Sequence, residues 1–254
     1  MRALFGETFR LLAAHLNLFT LISLTVWLPG HVLRNYFEFF EPEDGAGQSM
    51  LATLAIVMVF EPLVVAGTLV ALGRIKSGLP VGYAVAMTQG LAAWGRLLGV
   101  RSVVIFAVAL PALGARFAAP ARGFPAVAMG TLLIGLAVVT AILLVRFAVA
   151  DSVVVLEGAN AVTVWRRAAA LTAGRRWPMF GTLFLLFAAV VSFAMFTEQL
   201  VRAVPELNHF VVRVLLDCLV AVSQSLFTIA LFLFYWRGRG SGGPPPAVGA
   251  GAPS

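Results

Sequence analysis

Long apolar runs alternate with short polar segments along the whole chain. An α-helix needs roughly 20 mostly apolar residues to cross a bilayer. Six runs approach that length, and they cover 11–33, 50–73, 100–119, 126–150, 178–200 and 211–236. The pattern predicts an all-α polytopic membrane bundle with six transmembrane helices, formed by residues 1–236. The Gly- and Pro-rich residues 237–254 are predicted to form a disordered cytoplasmic tail.

The composition supports a membrane protein rather than a soluble one. Of the 254 residues, 61% are hydrophobic and 11% are charged. Soluble domains usually carry about 25% charged residues. The net charge of +7 comes from Arg residues in short segments between apolar runs, which indicates membrane orientation, and no nucleic-acid partner is expected.

The distribution of basic residues predicts the orientation. Thirteen Arg and Lys residues fall on the side that holds both chain ends, and five fall on the other side. Cytoplasmic loops are the ones enriched in Lys and Arg. Both termini are therefore expected in the cytoplasm. The excess of Arg over Lys and the abundance of Ala, Gly, Val and Pro are typical of a GC-rich genome, so we predict the cytoplasmic (inner) membrane of a bacterium.

Amphipathic segments are predicted to lie at the membrane interface before spans one, three and five. In the connection before span three, Pro80 can open a helix in which Tyr83, Met87, Leu91 and Trp94 form one stripe. In the connection before span five, the pattern has an N-cap, an apolar face, a basic face and a terminating glycine. Asn160 is the N-cap, and Gly174 is the terminating glycine. The apolar face consists of Ala161, Trp165, Ala168 and Thr172, and the basic face carries Arg166 and Arg167.

The segments that lead into spans one, three and five also resemble one another. They cover 12–18, 91–97 and 171–177, at offsets of 79 and 80 residues. A near-constant offset predicts three parallel units of one interfacial helix and two spans, related by an axis along the membrane normal. Chance recurrence of Leu-Ala-Ala in an Ala-rich chain is the alternative, and both interpretations stay open.

Residues 146–180 carry a resemblance to a known family. An Arg ends the fourth run, an acidic residue and a Gly follow, and a run with Arg, Leu-Thr, Gly, Trp and Phe leads into the fifth. The matching residues are Arg146, Asp151, Glu157, Gly158, Arg167, Leu171, Thr172, Gly174, Trp177 and Phe180. This pattern resembles the membrane domain of some bacterial glycerophosphoryl-diester phosphodiesterases and related six-helix inner-membrane proteins of uncharacterised function. Ala169 stands where that family often has Ser.

The resemblance implies a six-helix membrane fold and little chemistry. In the fused enzymes a separate barrel domain carries the phosphodiesterase reaction, using His, Glu, Asp and a divalent metal. No such domain is expected within these residues, so that activity is not expected of this chain.

Two acidic residues lie well inside predicted spans, away from the ends of the runs. A charge at mid-bilayer costs at least about 2.5 kcal/mol, so it usually faces the protein interior or a cavity. Glu61 is such a residue, and Pro62 can kink the same helix. Glu61 either contacts an ion, proton or substrate group, or forms a structural pair with a polar group on another helix. Asp217 is predicted to pair with Arg213, four residues earlier on the same helix.

Two further groups lie at the predicted cytoplasmic side. Arg146, Asp151 and Glu157 are predicted to form an ion network that anchors the loop after span four. A second, basic group is predicted to contact anionic lipid headgroups, and it consists of Arg166, Arg167, Arg175 and Arg176.

Three functions remain open at this stage. The sequence contains no CxxC, HExxH or His cluster, so no metal, cofactor or enzymatic activity is predicted. The first hypothesis is a non-enzymatic membrane module that binds lipid, a partner protein or a second copy of itself. The alternatives are a small transporter or permease that uses Glu61, and a membrane-embedded enzyme that acts on lipids.

Overall fold

The computed structural model describes residues 2–40, 56–118, 135, 142–143 and 145–240, with only the backbone of 2–3, 56–57, 104–118 and 161. Within these ranges the chain is helical and contains no strand. Its eight α-helices are α1 (Arg2–Ala14), α2 (Leu16–Phe40), α3 (Glu61–Lys76), α4 (Tyr83–Ala118), α5 (Ala150–Glu157), α6 (Ala161–Thr172), α7 (Arg176–Ala203) and α8 (Phe210–Arg239). A π-helical turn, Ile56–Phe60, leads into α3, and a 3-10 turn, Pro205–Leu207, precedes α8.

Four of the described helices are long and apolar enough to cross a membrane. They are Leu16–Phe40, Met58–Lys76, Arg176–Ala203 and Phe210–Arg239, and they correspond to the first, second, fifth and sixth predicted spans. The backbone of α4 is helical through the third predicted span. Most of the fourth, 126–150, lies outside the described residues, as does the predicted tail beyond residue 240.

Helices α2 and α8 pack antiparallel and are joined by polar contacts along their interface. The hydroxyl groups of Ser23 and Ser225 are 3.2 Å apart. Toward the other end of the pair, Arg34 on α2 forms an ion pair with Asp217 on α8. Helices without water between them are commonly held by such small polar side chains and close packing.

Helices α3 and α4 approach each other until their backbones touch. A Cβ atom added at Gly90 would lie 2.8 Å from both the Cα and the backbone nitrogen of Gly67. No side chain fits in that space, so glycine at position 90 permits the crossing. This crossing fixes the position of α4 relative to α3.

One carboxylate of helix α1 pairs with basic groups on two other helices. Glu7 pairs with Lys76, at the end of α3, and with Arg237, at the end of α8. Burial alone would raise the pKa of Glu7, but the hydrogen bonds and charges of the two basic groups outweigh it and lower the pKa below its usual range. The first helix and the carboxyl ends of α3 and α8 therefore meet at one end of the bundle, which we call the basic end.

The amphipathic segments take two different forms. Helices α1 and α6 are separate helices, but the predicted interfacial segment before span three is the first part of the continuous helix α4. That helix begins at Tyr83, so the prediction that Pro80 opens it was wrong. The Pro80 carbonyl instead accepts a hydrogen bond from Arg74.

The predicted ends of α6 are largely confirmed. Asn160 occupies the N-cap position, but its side chain accepts the Thr163 hydroxyl at 2.6 Å rather than a backbone N–H. Gly174 has a φ of 73°, the left-handed conformation expected just beyond a helix end. Ala168 and Thr172 are buried, while Arg166 is exposed, so the apolar face predicted for this helix does face the bundle.

Candidate functional site

An ion cluster joins three helices inside the bundle. Arg101 on α4 donates from Nη1 to Oε1 of Glu61 on α3, at 2.6 Å. The same guanidinium donates from Nε and Nη2 to Oδ2 of Asp151 on α5, at 3.1 and 2.7 Å. We call these three residues the Glu61–Arg101–Asp151 cluster. It ties α3, α4 and α5 together through one positive and two negative groups.

The local backbone explains how Glu61 is presented. Glu61 is the first residue of α3 and follows the π-helical turn Ile56–Phe60. Pro62 has no N–H to donate, and in a regular α-helix its ring would collide with the carbonyl of Met58. A wider π turn at this point accommodates both effects, and such turns are frequent at functional sites. The sequence prediction that Pro62 perturbs the helix next to Glu61 agrees with this geometry.

Glu61 is far from the basic end of the bundle. Fifteen residues separate it from Lys76, which places it about 22 Å along the α3 axis from that end. Its side chain nevertheless keeps 36% of its surface exposed. This exposure is explained by an open space between the helices, which Glu61 lines.

That space is a cavity of about 510 Å³ lined by residues of α2, α3, α4, α5, α7 and α8. Its walls are mostly apolar, and Trp27, Leu69, Phe187 and Val191 are examples. All members of the Glu61–Arg101–Asp151 cluster also line it. The cavity therefore combines hydrocarbon-like walls with one strongly charged position.

Two uncharged polar residues add to the cavity wall. Gln224 and Thr228 lie one helical turn apart on α8, and both line the cavity. Neither side chain makes a hydrogen bond within the described part of the chain, whereas Ser225 beside them is engaged with Ser23. These two side chains are available to a molecule inside the cavity.

The ion network predicted for Arg146, Asp151 and Glu157 does not form. Asp151 and Glu157 are six residues apart on α5, so they lie roughly 120° apart around the helix and about 9 Å apart along it. Asp151 faces Arg101, and Glu157 accepts hydrogen bonds from Arg167 and from the Tyr235 hydroxyl. The two acids therefore serve two separate clusters.

Arg146 belongs to neither cluster. Its guanidinium lies 5.6 Å from the centre of the Phe147 ring, and its backbone carbonyl accepts the Thr172 hydroxyl at 3.0 Å. Arg146 forms no ion pair with Asp151 or Glu157, although all three side chains are described. The hydrogen bond from Thr172 holds the end of α6 against the segment that precedes α5.

The predicted pairing of Asp217 with Arg213 was also wrong. The Asp217 carboxylate accepts from Arg34 and, at 2.7 Å, from Asn35, both on α2. Arg213 donates to Glu198 on α7 instead. Arg213 and Asp217 thus each pair with a neighbouring helix, because the packing of the helices offers a partner there that spacing along α8 alone cannot reveal.

The four Arg residues predicted to contact lipid divide into two groups. Arg167 donates to Glu157, and this hydrogen bond raises its pKa. Arg166, Arg175 and Arg176 are exposed. Beside them, the side chains of Val162 and Trp177 are 85% and 83% exposed, so apolar and basic groups alternate on this surface. Three of the four therefore remain available to a headgroup.

Arg101 is the central residue that sequence reasoning misplaced. Arg101 lies at the start of the third run, and it was one of the thirteen basic residues that were counted to predict the orientation of the chain. One observation could have suggested its role: an Arg at the edge of one apolar run and a Glu inside the preceding run must each find a partner away from lipid. Gln224 and Thr228 carry no comparable pattern in the sequence.

The described residues form an all-α bundle in which four helices are long and apolar enough to cross a membrane. Among them, no group of three or more His, Cys, Asp or Glu side chains could hold a metal ion. No protein-family model, curated protein or solved structure matches this chain.

Proposed function

We propose that this chain is a six-span protein of the bacterial cytoplasmic membrane that binds an amphiphilic, lipid-like molecule inside its helical bundle. The cavity next to the Glu61–Arg101–Asp151 cluster carries the proposal. Its volume of about 510 Å³ falls within the 300–1,000 Å³ or so that is typical of small-molecule sites. Such sites are mostly apolar with a few placed polar groups, which matches these walls.

The chemistry of the walls selects the class of ligand. Phe187, Val190 and Val191 offer only apolar contact, so a fully polar solute would lose its hydration there without replacement. The charged cluster and Gln224 would in turn be poor neighbours for a pure hydrocarbon. A molecule with a hydrocarbon part and a polar head satisfies both kinds of wall.

The proposed topology has both termini in the cytoplasm. Glu7 brings α1 together with the carboxyl ends of α3 and α8, so both ends of the described chain lie at one end of the bundle. The basic residues concentrate there, as cytoplasmic loops usually require. The resemblance to six-helix inner-membrane proteins stays part of the proposal. Reporter fusions at the two termini should both report a cytoplasmic location.

The exposed basic surface supports a second contact with lipid. Arg166, Arg175 and Arg176 lie beside exposed Trp177 and Val162. Basic side chains near the surface gain about 1 kcal/mol each from an anionic leaflet, and aromatic residues favour the interface. We propose that this surface rests on anionic headgroups of the cytoplasmic leaflet.

Native mass spectrometry of the protein extracted from its membrane tests the cavity function. Ala194 on α7 lines the cavity, and replacing it by Phe fills part of the space. Ala189 on the same helix is exposed and does not line the cavity, so Ala189→Phe is the matched control. We expect one lipid-like molecule on the wild type and on the control, and its loss from Ala194→Phe. Equal occupancy in all three proteins would argue against the proposal.

Transport is a second candidate, because the exposed carboxylate of Glu61 faces the cavity. An intramembrane carboxylate beside a solute-sized space could carry a proton or an ion with the ligand. If the protein is a transporter, reconstituted vesicles should show ligand flux, and Glu61→Gln should abolish it while leaving the folded protein intact. If the ligand binds but does not cross the vesicle membrane, the protein is a binding protein and not a transporter.

A further inference from the structure

The charges of the Glu61–Arg101–Asp151 cluster do not balance. One guanidinium faces two carboxylates, so the ionised groups sum to one negative charge. Neither carboxylate pairs with any other basic group in the part of the chain that the structure describes. An excess negative charge on partly buried groups is costly, so an additional positive charge beside the cluster would be favoured.

Each carboxylate of the cluster has one oxygen that is not bonded to Arg101, and both residues line the cavity. Arg101 contacts only Oε1 of Glu61 and only Oδ2 of Asp151. The second oxygen of each carboxylate accepts no hydrogen bond from the described residues. Glu61 is the more exposed of the two and is held by a single contact, whereas Asp151 receives two. Glu61 is therefore the acid that is best placed to receive an additional positive group.

The part of the cavity wall that α7 and α8 form is suited to hold the apolar part of a molecule that carries this positive group. Apolar side chains of α7 and α8, including Val190, Ala194 and Leu231, line the same cavity as Glu61. Gln224 and Thr228 offer polar groups that are not otherwise engaged. The cavity thus places a site of negative charge within reach of apolar walls.

We infer that the ligand of this cavity carries a positively charged nitrogen in its head, with the nitrogen beside Glu61 and its hydrocarbon part along α7 and α8. The ligand class is an amphiphilic amine or quaternary ammonium compound, including lipids whose headgroup ends in such a nitrogen. This inference rests on the proposed cavity function and adds the sign of the head charge. An anionic headgroup alone would increase the charge imbalance rather than remove it.

Two probes with the same alkyl chain and oppositely charged headgroups test the sign of the ligand's head charge. Dodecyltrimethylammonium and dodecyl sulfate are titrated separately into the purified full-length protein in a nonionic detergent, below their own micelle concentrations. We expect the wild type to bind the ammonium probe at least about tenfold more tightly than the sulfate probe, a ratio that corresponds to about 1.4 kcal/mol.

Three variants separate the cluster from the overall charge of the protein. Glu61→Gln leaves Arg101 and Asp151 as a neutral pair, so the preference for the ammonium probe should disappear. Asp151→Asn also removes one negative charge from the cluster, and it should likewise reduce the preference for the ammonium probe. Glu7→Gln also removes one carboxylate, but Glu7 lies at the basic end and does not line the cavity, so the preference should persist.

The outcomes distinguish a failure of the cationic-head inference from a failure of the proposed cavity function. If the wild type binds neither probe, the cavity function itself fails. If it binds both equally or prefers the sulfate probe, the cavity function stands and the cationic head is wrong. A preference that survives in both Glu61→Gln and Asp151→Asn, with thermal unfolding showing both variants folded, would likewise overturn the assignment of the charge to this cluster.

Discussion

Replacing Arg101 by Gln should destabilise the protein more than any other single change in the cluster. The guanidinium makes three hydrogen bonds to two acids and keeps only 19% of its side-chain surface exposed. Removing one partner from a buried ion pair typically costs about 3–5 kcal/mol, because the remaining charge is left uncompensated. Since both acids retain some exposure to the cavity, we expect the lower end, about 3 kcal/mol.

The comparison with two other variants identifies the cause of that loss. Glu61→Gln keeps the Arg101–Asp151 pair and also removes the excess negative charge, so it should cost clearly less than Arg101→Gln, at most about 1.5 kcal/mol for the weakened hydrogen bond. The triple variant Arg101→Gln, Glu61→Gln, Asp151→Asn leaves no charge at all, and it should recover much of the stability lost in Arg101→Gln.

Unfolding by denaturant in detergent micelles, followed by circular dichroism, gives the free energies of unfolding for this series. The reasoning is refuted if Arg101→Gln lies within about 0.5 kcal/mol of the wild type, the range of an ordinary surface substitution. It is also refuted if the triple variant is no more stable than Arg101→Gln. Either result would mean that the three charges do not depend on one another.

Three further changes test the packing that positions the cavity. Gly90→Ala should cost about 1–3 kcal/mol in the same unfolding assay because its Cβ meets the Gly67 backbone at 2.8 Å, whereas Gly95→Ala has open space and should be nearly neutral. Asp217→Asn weakens the ion pair between α2 and α8 and should cost about 1–3 kcal/mol, measured against wild type. Glu7 has a pKa held below its ordinary value of 4.5, so its contribution is present above pH 4.5 and is lost as the pH falls below that value. The thermal midpoint should therefore drop less between pH 6 and pH 3.5 in Glu7→Gln than in the wild type.

The apolar pattern of the sequence predicted the elements well because it reports local periodicity and length. It located the four helices that are long and apolar enough to cross a membrane, and it placed the amphipathic face of α6 correctly. It also singled out Glu61, since a carboxylate inside an apolar run requires a partner or a cavity. The partner itself lies forty residues away, on another helix.

The errors arose where a contact depends on which helices are neighbours. Asp217 was assigned to the nearest Arg on its own helix, but the packing of α8 against α2 supplies Arg34 and Asn35 instead. The proposed network of Arg146, Asp151 and Glu157 joined residues that are close in sequence but face different directions. Periodicity gives the face of a helix, but it does not say which helix that face meets.

The cavity is the part that sequence reasoning could not reach. Its lining comes from helices that are distant along the chain, and residues such as Ala194 and Val220 look like any other members of apolar runs. Only the packing distinguishes the side chains that face this space from those that face outward, such as Phe184 and Phe196 on the same helix α7.

The most direct test of the account is to find where a lipid chain lies against the protein. Membranes containing the protein are supplied with a lipid that carries a photoreactive diazirine in its acyl chain, and the labelled residues are mapped by mass spectrometry. We expect label on the cavity-lining residues Val190, Val191 and Ala194, in addition to the outward-facing Phe184 and Phe196. Label on the outward-facing residues alone would contradict it, because the cavity would then hold no lipid-like molecule.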